Sequence, residues 1–392
     1  YNVVVGDEAG TAITTGDSNV ALGYQALDAE DTGSRSVAVG YNALSTQNND
    51  GTNSNTAVGY AAGGGITTGI HNTLLGGAAG DALTNADYNV AVGVSALGAD
   101  TLGSHSVAIG RRALKAQNFT SATDTYNVAV GSSAGELITT GTNNTLIGGL
   151  AGDAITTGGS NTSVGYFSLS GLTTGSYNVA VGMQALKNLT TASDSTAVGV
   201  SALVNTTTGT DNTGLGRAAG ANITTGIQNT AVGSRALDAN TTANYNTAVG
   251  YGSLGANTTG TENSAVGRSS LLANTTGGNN VAFGSGTLAG NTTASYSTGL
   301  GWAALFANTT GASNTGVGYK ALFANTIGAS NTSVGTNSLD ANTTGSNNTA
   351  MGQSALGSNT TATYNTAVGY HALVSNTTGG DNVAVGGLSL DA

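Results

Sequence analysis

The stretch Asn246-Thr-Ala-Val-Gly-Tyr-Gly-Ser-Leu-Gly-Ala-Asn-Thr-Thr-Gly-Thr-Glu262 decides how the rest of the chain is read. Its 17 residues are one unit of a repeat. Each unit opens with Asn or Ser, then Val, Thr or Ser, a mostly small residue, an apolar residue and Gly. That opening starts at Asn2 and recurs through Asn382 in 23 copies. Of the 22 intervals, twenty are 17 residues long, one is 19 (Ser36 to Asn55) and one is 21 (Ser106 to Asn127). Columns are numbered here from the opening Asn. Column 5 is glycine in every copy, Gly23, Gly40, Gly233 and Gly250 among them. A glycine at one place in every coil marks a bend or a close approach of backbones. Column 4 is always apolar, as at Val249, column 8 is always small, and column 9 is usually Leu, as at Leu254. Columns 12 to 15 read Asn-Thr-Thr-Gly, a turn composition. The unit is too short for a helical hairpin and lacks a helix-period apolar stripe. It predicts two short strands and two turns per unit, and hence an all-β, parallel β-solenoid of about 23 coils.

Variation inside the chain points to the interior. Six units carry Gly instead of Leu at column 9: Gly10, Gly63, Gly80, Gly135, Gly152 and Gly220. All six then carry Ile or Leu at column 12: Ile13, Ile66, Leu83, Ile138, Ile155 and Ile223. Most Leu units have a polar residue there. The apolar group moves from one column to the other, as close packing of a shared narrow core requires. Leu169 with Leu172, and Leu186 with Leu189, depart from strict exclusion.

Composition limits what this core can be. The 392 residues include 63 glycines, 7% charged and 5% aromatic residues, and neither proline nor cysteine. Such a bias would suggest disorder were Val and Leu not placed so regularly. The net charge of -11 comes with only nine Lys and Arg, so no basic groove for nucleic acid exists. Without cysteine there is no disulfide framework and no thiolate metal site. No apolar run reaches membrane-spanning length, so no membrane insertion is expected. No signal peptide is visible and the chain starts at Tyr1, which suggests a processed chain or a segment of a longer one.

Residues 19–88 and 89–160 match as blocks of four units, each with one enlarged loop, Ser45–Ser54 and Lys115–Tyr126. Beyond about residue 161 the units are more uniform. The expectation is two stretches, 1–160 and 161–392, of one continuous solenoid. Strands stacked about 4.8 Å apart would make 23 coils a rod roughly 110 Å long. Asn at columns 1 and 12 can form side-chain ladders along it. No cap is visible at either end, so more chain or another subunit is expected there.

All 14 tyrosines fall in two columns. Seven precede the unit, and seven occupy column 6: Tyr24, Tyr41, Tyr60, Tyr166, Tyr251, Tyr319 and Tyr370. If strand alternation holds, these share a face with the Val of column 4 and oppose Asn, Ala and Gly. With Ala inside, a Val–Tyr strip faces outward and calls for partner chains. With Val inside, that argument weakens. The tyrosines are candidates for contacts between chains or for stacking on sugars.

These columns resemble the head repeats of trimeric autotransporter adhesins, on segments such as Ser36-Val-Ala-Val-Gly40, Ser106-Val-Ala-Ile-Gly110 and Asn178-Val-Ala-Val-Gly182. The resemblance implies a left-handed parallel β-roll in which three chains pack together as an adhesin. The typical head repeat is shorter, so the added Asn-Thr-Thr-Gly is a departure. The longer form, Asn246-Thr-Ala-Val-Gly-Tyr251 through Asn257-Thr-Thr-Gly260, is similar to repeats of predicted bacterial surface proteins and phage tail-fibre proteins. These often end in a self-cleaving chaperone domain, which this sequence lacks. No binding residue carries over from either.

Catalytic chemistry finds little footing. A nucleophilic triad needs convergent side chains, and His71, His105 and His371 stand in separate coils. Glu30 and Asp31 are adjacent carboxylates in what reads as a turn, more in keeping with solvation than with glycoside hydrolysis. Asp is sporadic at the turns (Asp194, Asp211, Asp381), so calcium is a weak possibility and no other cofactor is expected. Asn-x-Thr triplets such as Asn240-Thr-Thr242 follow automatically from the repeat rather than marking glycosylation. The expectation is a non-enzymatic fibre outside the cell, on its surface or on a virion. It would be a homotrimeric shaft or head presenting contacts to a cell-surface glycan or protein receptor. Alternatives are an extracellular filament of solenoids stacked end to end, and a solenoid that binds ice or calcium.

Overall fold

A computed structural model describes residues 1–391. Ala392, the last residue of the expected 161–392 stretch, lies outside the described residues. The chain is an all-β parallel solenoid of about 23 turns, with no helix among the described residues. It divides into two compact units, Tyr1–Ser195 and Thr196–Ala392. Within each unit successive coils pair in register with no slip. In the first, Val20, Ala21 and Leu22 stand opposite Val37, Ala38 and Val39. In the second, Thr230, Ala231 and Val232 stand opposite Thr247, Ala248 and Val249.

Nearly every coil holds a single three-residue strand, columns 2 to 4, where two strands were expected; the exceptions are the coils of Val90–Val92 and Val107–Ile109, which add the short pair Gly103–Ser104 and Thr123–Asp124. The other long side bends too sharply for a ladder. There the N–H groups of Thr258, Thr259 and Gly260 converge on one carbonyl of the next coil, Thr275 O, at 2.9, 3.2 and 3.3 Å. The threonine hydroxyls of column 13 reinforce this turn, as Thr258 Oγ1 donates to the same carbonyl at 3.0 Å.

Column 5 is glycine for two reasons. Gly233 and Gly250 have φ of +128° and +131°, where a side chain is strained. A Cβ on Gly233 would also stand 2.6 Å from Gly250 O. Gly23 meets the same obstacle in Gly40 O, and Gly40 in the carbonyl of Gly59.

The interior is filled by columns 1, 3, 8, 9 and 12. Ala248, Leu254, Ile155 and Ile223 are all fully buried, whereas Val249 is half-buried on the outer face. The structure thereby decides the open question of the sequence: Ala points in and Val points out. The exchange between columns 9 and 12 is a direct steric substitution. Cβ atoms on Gly152 and Gly220 would stand 2.8 and 2.9 Å from Cδ1 of Ile155 and Ile223. Column 3 takes part as well. Leu74 lies between Gly63 and Gly80, and Leu146 between Gly135 and Gly152, using the room that two successive glycines leave.

The buried asparagines need partners, because an unpaired buried amide costs about 1–3 kcal/mol. Both expected ladders are present. At column 12 the Asn274 Nδ2 donates to Asn257 Oδ1 at 2.8 Å, and the same bond repeats coil by coil to Asn376. At column 1 the Asn246 N–H donates to Asn229 Oδ1 at 3.1 Å and its Nδ2 to Gly260 O at 2.9 Å. Column 12 opens the Asn-Thr-Thr-Gly turn and is also core, as its exchange with column 9 implies. Asn240 and Asn257 of the Asn-x-Thr triplets are fully buried, beyond reach of a glycosylating enzyme.

Candidate interaction surface

The enlarged loops carry a feature that the repeat did not announce. Glu30 is fully buried at column 12, not solvated in a turn. Its Oε1 accepts from Gly33 N at 2.7 Å, and its Oε2 from Gln47 Nε2 and Asn53 Nδ2, both at 2.8 Å. Asp100 repeats the arrangement before the second loop, accepting from Gly103 N at 3.1 Å, Phe119 N at 3.2 Å and Gln117 Nε2 at 2.6 Å. Gln47 and Gln117 reach across to Ser36 and Ser106, whose short side chains replace the usual column-1 Asn. An acid followed 17 residues later by Gln was the signal available in the sequence. Both carboxylates are saturated by amides and closed to solvent, so they anchor loops and offer nothing to a ligand.

The outer face is where contacts are possible. Columns 2 and 4 alternate outward with Val and Thr, and both tyrosine rows flank them in the exposed state. The rows are partly self-stacked. Tyr24, Tyr41 and Tyr60 form a column with ring centroids 5.2 Å apart at each step. The Glu8 carboxylate beside Tyr24 pushes its phenol above the usual range. Tyr319 stacks on Trp302 at 5.1 Å, and Tyr370 on His371 at 4.0 Å. Tyr166 meets Phe167 edge-on at 4.3 Å, and Tyr251 stacks on no other ring among the described residues. A ring stacked on both sides has only its edge to offer, so sugar-stacking faces are confined to the ends of each aromatic run. Tyr60 is such an end, since the next coil has Gly77 in its column.

Two of the three histidines belong to the other row. His71, Tyr88, His105 and Tyr126 follow one another at 5.1, 5.0 and 5.3 Å. His105 Nδ1 lies 3.1 Å from Asp124 Oδ1, and both side chains are exposed. Ring stacking between coils accounts for these positions. Among the described residues no three His, Asp or Glu side chains converge as a metal ion would need.

Two shallow notches interrupt the column 6 to 11 face in the second unit. One has a volume of about 380 Å³, with Gly252 and Gly255 as its floor, Tyr251 at its side, and Arg235, Asp238 and Leu272 around it. The other, about 200 Å³, lies over Ser285 and Gly286 between Arg268 and the rings of Trp302 and Phe306. No tyrosine row predicted them, because they are defined by missing side chains.

No family model matches the chain, and no curated protein is significantly similar to it. Its function is therefore argued from the solenoid and its surface alone.

Proposed function

We propose that the chain is a non-enzymatic structural fibre: the shaft or head of a surface adhesin or phage tail fibre, a left-handed β-roll assembled as a homotrimer outside the cell or on a virion. One observation carries this reading. Ala248 is fully buried while Val249 and Tyr251 on either side of Gly250 face outward, and the same assignment recurs coil after coil. The outward column 4 includes Leu215, Phe283, Leu300 and Met351, all exposed. Soluble monomers rarely expose contiguous apolar patches beyond a few hundred Å². A strip repeated in every coil exceeds that, and lateral packing against copies of itself covers it with identical spacing. Burial is worth roughly 25 cal/mol per Å² of apolar surface, so even a narrow strip sums to a strong association.

The role follows from the construction. A uniform stack of coils has few moving parts and presents the same columns at regular intervals, which suits display of repeated weak contacts to a glycan or protein receptor. Sedimentation equilibrium of the intact chain tests the assembly: a single species of three chains is expected. A monomer whose Val–Tyr face stays in water overturns the reading. Particles of indefinite length favour the filament instead.

A further inference from the structure

In the second unit the outward strand face is bordered by two flanks of opposite charge. Columns 2 and 4 hold no charged residue between Thr213 and Val385. Column 17, the position just before each opening Asn or Ser, is charged only as carboxylate there: Asp211, Glu262 and Asp381. Column 6, just after the strand and its glycine, is charged only as guanidinium: Arg217 and Arg268. Two coils carry both signs, one with Asp211 and Arg217, the other with Glu262 and Arg268, and all four residues are exposed. Asp211 accepts a hydrogen bond from the adjacent Thr210 Oγ1 at 2.8 Å. None of the four makes an ion pair within the chain among the described residues. Geometry prevents it inside one coil, since a three-residue strand, about 10 Å long, separates the flanks.

We infer that neighbouring copies of the chain lie parallel and in register, joined by ion pairs from Arg217 to Asp211 and from Arg268 to Glu262 of the next copy. Symmetry makes the match. A rotation axis parallel to the direction of coil stacking leaves heights unchanged, so it sets every coil beside its own equivalent. The strand runs across that direction, because its hydrogen bonds run along it, and both flanks of a coil lie near one level. With the outward faces turned toward the axis, the column 6 flank of one copy meets the column 17 flank of the next. Arginine then meets carboxylate in both coils. Any slip along the axis leaves at most one of the two arginines opposite a carboxylate. Antiparallel copies packed on this face set each flank beside its own kind, acid against acid and arginine against arginine. The apolar strip cannot make this choice. Val and Thr recur at every coil, about 4.8 Å apart, so a slip of one coil buries almost the same surface. Exposed ion pairs are individually weak, but these repeat at every interface, and like charges set together are strongly disfavoured. Affinity comes from the strip and register from the flanks, as charged flanking positions choose partners and orientation in coiled coils.

This rests on the lateral assembly proposed above and adds its orientation, its register and the residues that set them. Carbodiimide coupling reads the register directly, because it joins a carboxylate to an amine already in contact with it. The intact chain carrying Arg217→Lys and Arg268→Lys is coupled, separated on a denaturing gel, and the joined peptides are mapped by mass spectrometry. Amides between chains that link position 217 to 211 and position 268 to 262 are expected. Amides linking 217 to 262, or 268 to 211, mark a slip of three coils and overturn the inference. Assembled particles with no such amides overturn it too and leave the lateral assembly standing. A monomer in sedimentation removes the assembly, and the register with it. Charge exchange tests the ionic part. Arg217→Asp with Arg268→Asp should weaken association at least about tenfold at low salt and lose most of that difference near about 1 M salt. Adding Asp211→Arg and Glu262→Arg restores the pairs with their signs exchanged and should recover most of the lost affinity. Column 17 already holds Arg35 and column 6 already holds Asp7, so both columns accept the exchanged residues. A fourfold variant as weak as the double one, in chains that still fold, overturns the pairing.

Discussion

Cδ1 of Ile155 lies 2.8 Å from the point where a Cβ on Gly152 would stand. The two residues therefore compete for one volume, and most coils carry either Leu at column 9 or Ile or Leu at column 12, the coils of Leu169–Leu172 and Leu186–Leu189 burying both. Backbone geometry favours the choice being glycine or leucine and little else. Leu254 and its equivalents adopt φ near 51°, a left-handed conformation that costs a non-glycine residue about 1–2 kcal/mol unless packing enforces it. Complete burial of the Leu supplies that enforcement, and where Ile takes over the filling, glycine relieves the strain.

The exchange can be engineered. Leu237 and Asn240 sit one coil beyond the Gly220–Ile223 pair, and Asn240 Oδ1 has no hydrogen-bond partner, so little of the amide ladder is lost by replacing it. Leu237→Gly alone should cost roughly 2–5 kcal/mol through the cavity. Asn240→Ile alone should cost about 1–3 kcal/mol by overpacking. The double variant should be more stable than either single one, with a coupling of at least about 1 kcal/mol in denaturant unfolding. Additive losses would show that the two columns do not share a volume.

How much of this was open to the sequence depends on repetition. Gly233 and Gly250 were legible because a column without exception must answer a backbone constraint. Leu254 and Ile223 were legible because variation among coils works as an internal comparison. Asn257 was legible as a ladder and, through the exchange between columns 9 and 12, as a core position, although Asn-Thr-Thr-Gly has the composition of a turn and the chain turns immediately after it. Glu30 and Asp100 escaped, since the meaning of each acid depends on the amide of a different coil. The notches over Gly252 and Gly286 escaped for the opposite reason: a short side chain says nothing until its neighbours are known to be large.

Asp100 offers a local test of the loop anchors. Asp100→Asn keeps the shape but turns an amide toward the Gln117 amide, which already donates there. Hydrogen bonds to charged groups contribute about 1.5–3 kcal/mol, and losing one should loosen the loop without unfolding neighbouring coils. Amide exchange at Gly103 and Phe119, which both donate to this carboxylate, should accelerate while Val107–Ile109 stays protected. Unchanged exchange at Phe119 would mean that the loop is held by something else.

Acidity should act in an unusual direction at three column-10 aspartates. Asp81, Asp153 and Asp340 are half-buried, and burial pushes each carboxyl above the ordinary aspartate range. Asp153 also has one carboxyl oxygen buried without a partner. The folded chain thus holds these protons at a pH where the unfolded chain has released them. Their contribution is intact below the unfolded value near pH 4 and declines as pH rises through the folded value. Replacing Asp81, Asp153 and Asp340 with Asn should therefore raise the melting temperature at pH 7. The gain should vanish near pH 4, where the native carboxyls are protonated as well. A variant that is less stable than the parent at pH 7 would show that these carboxylates are stabilised in the fold, and a gain that persists unchanged into acid would show that it does not come from their ionisation.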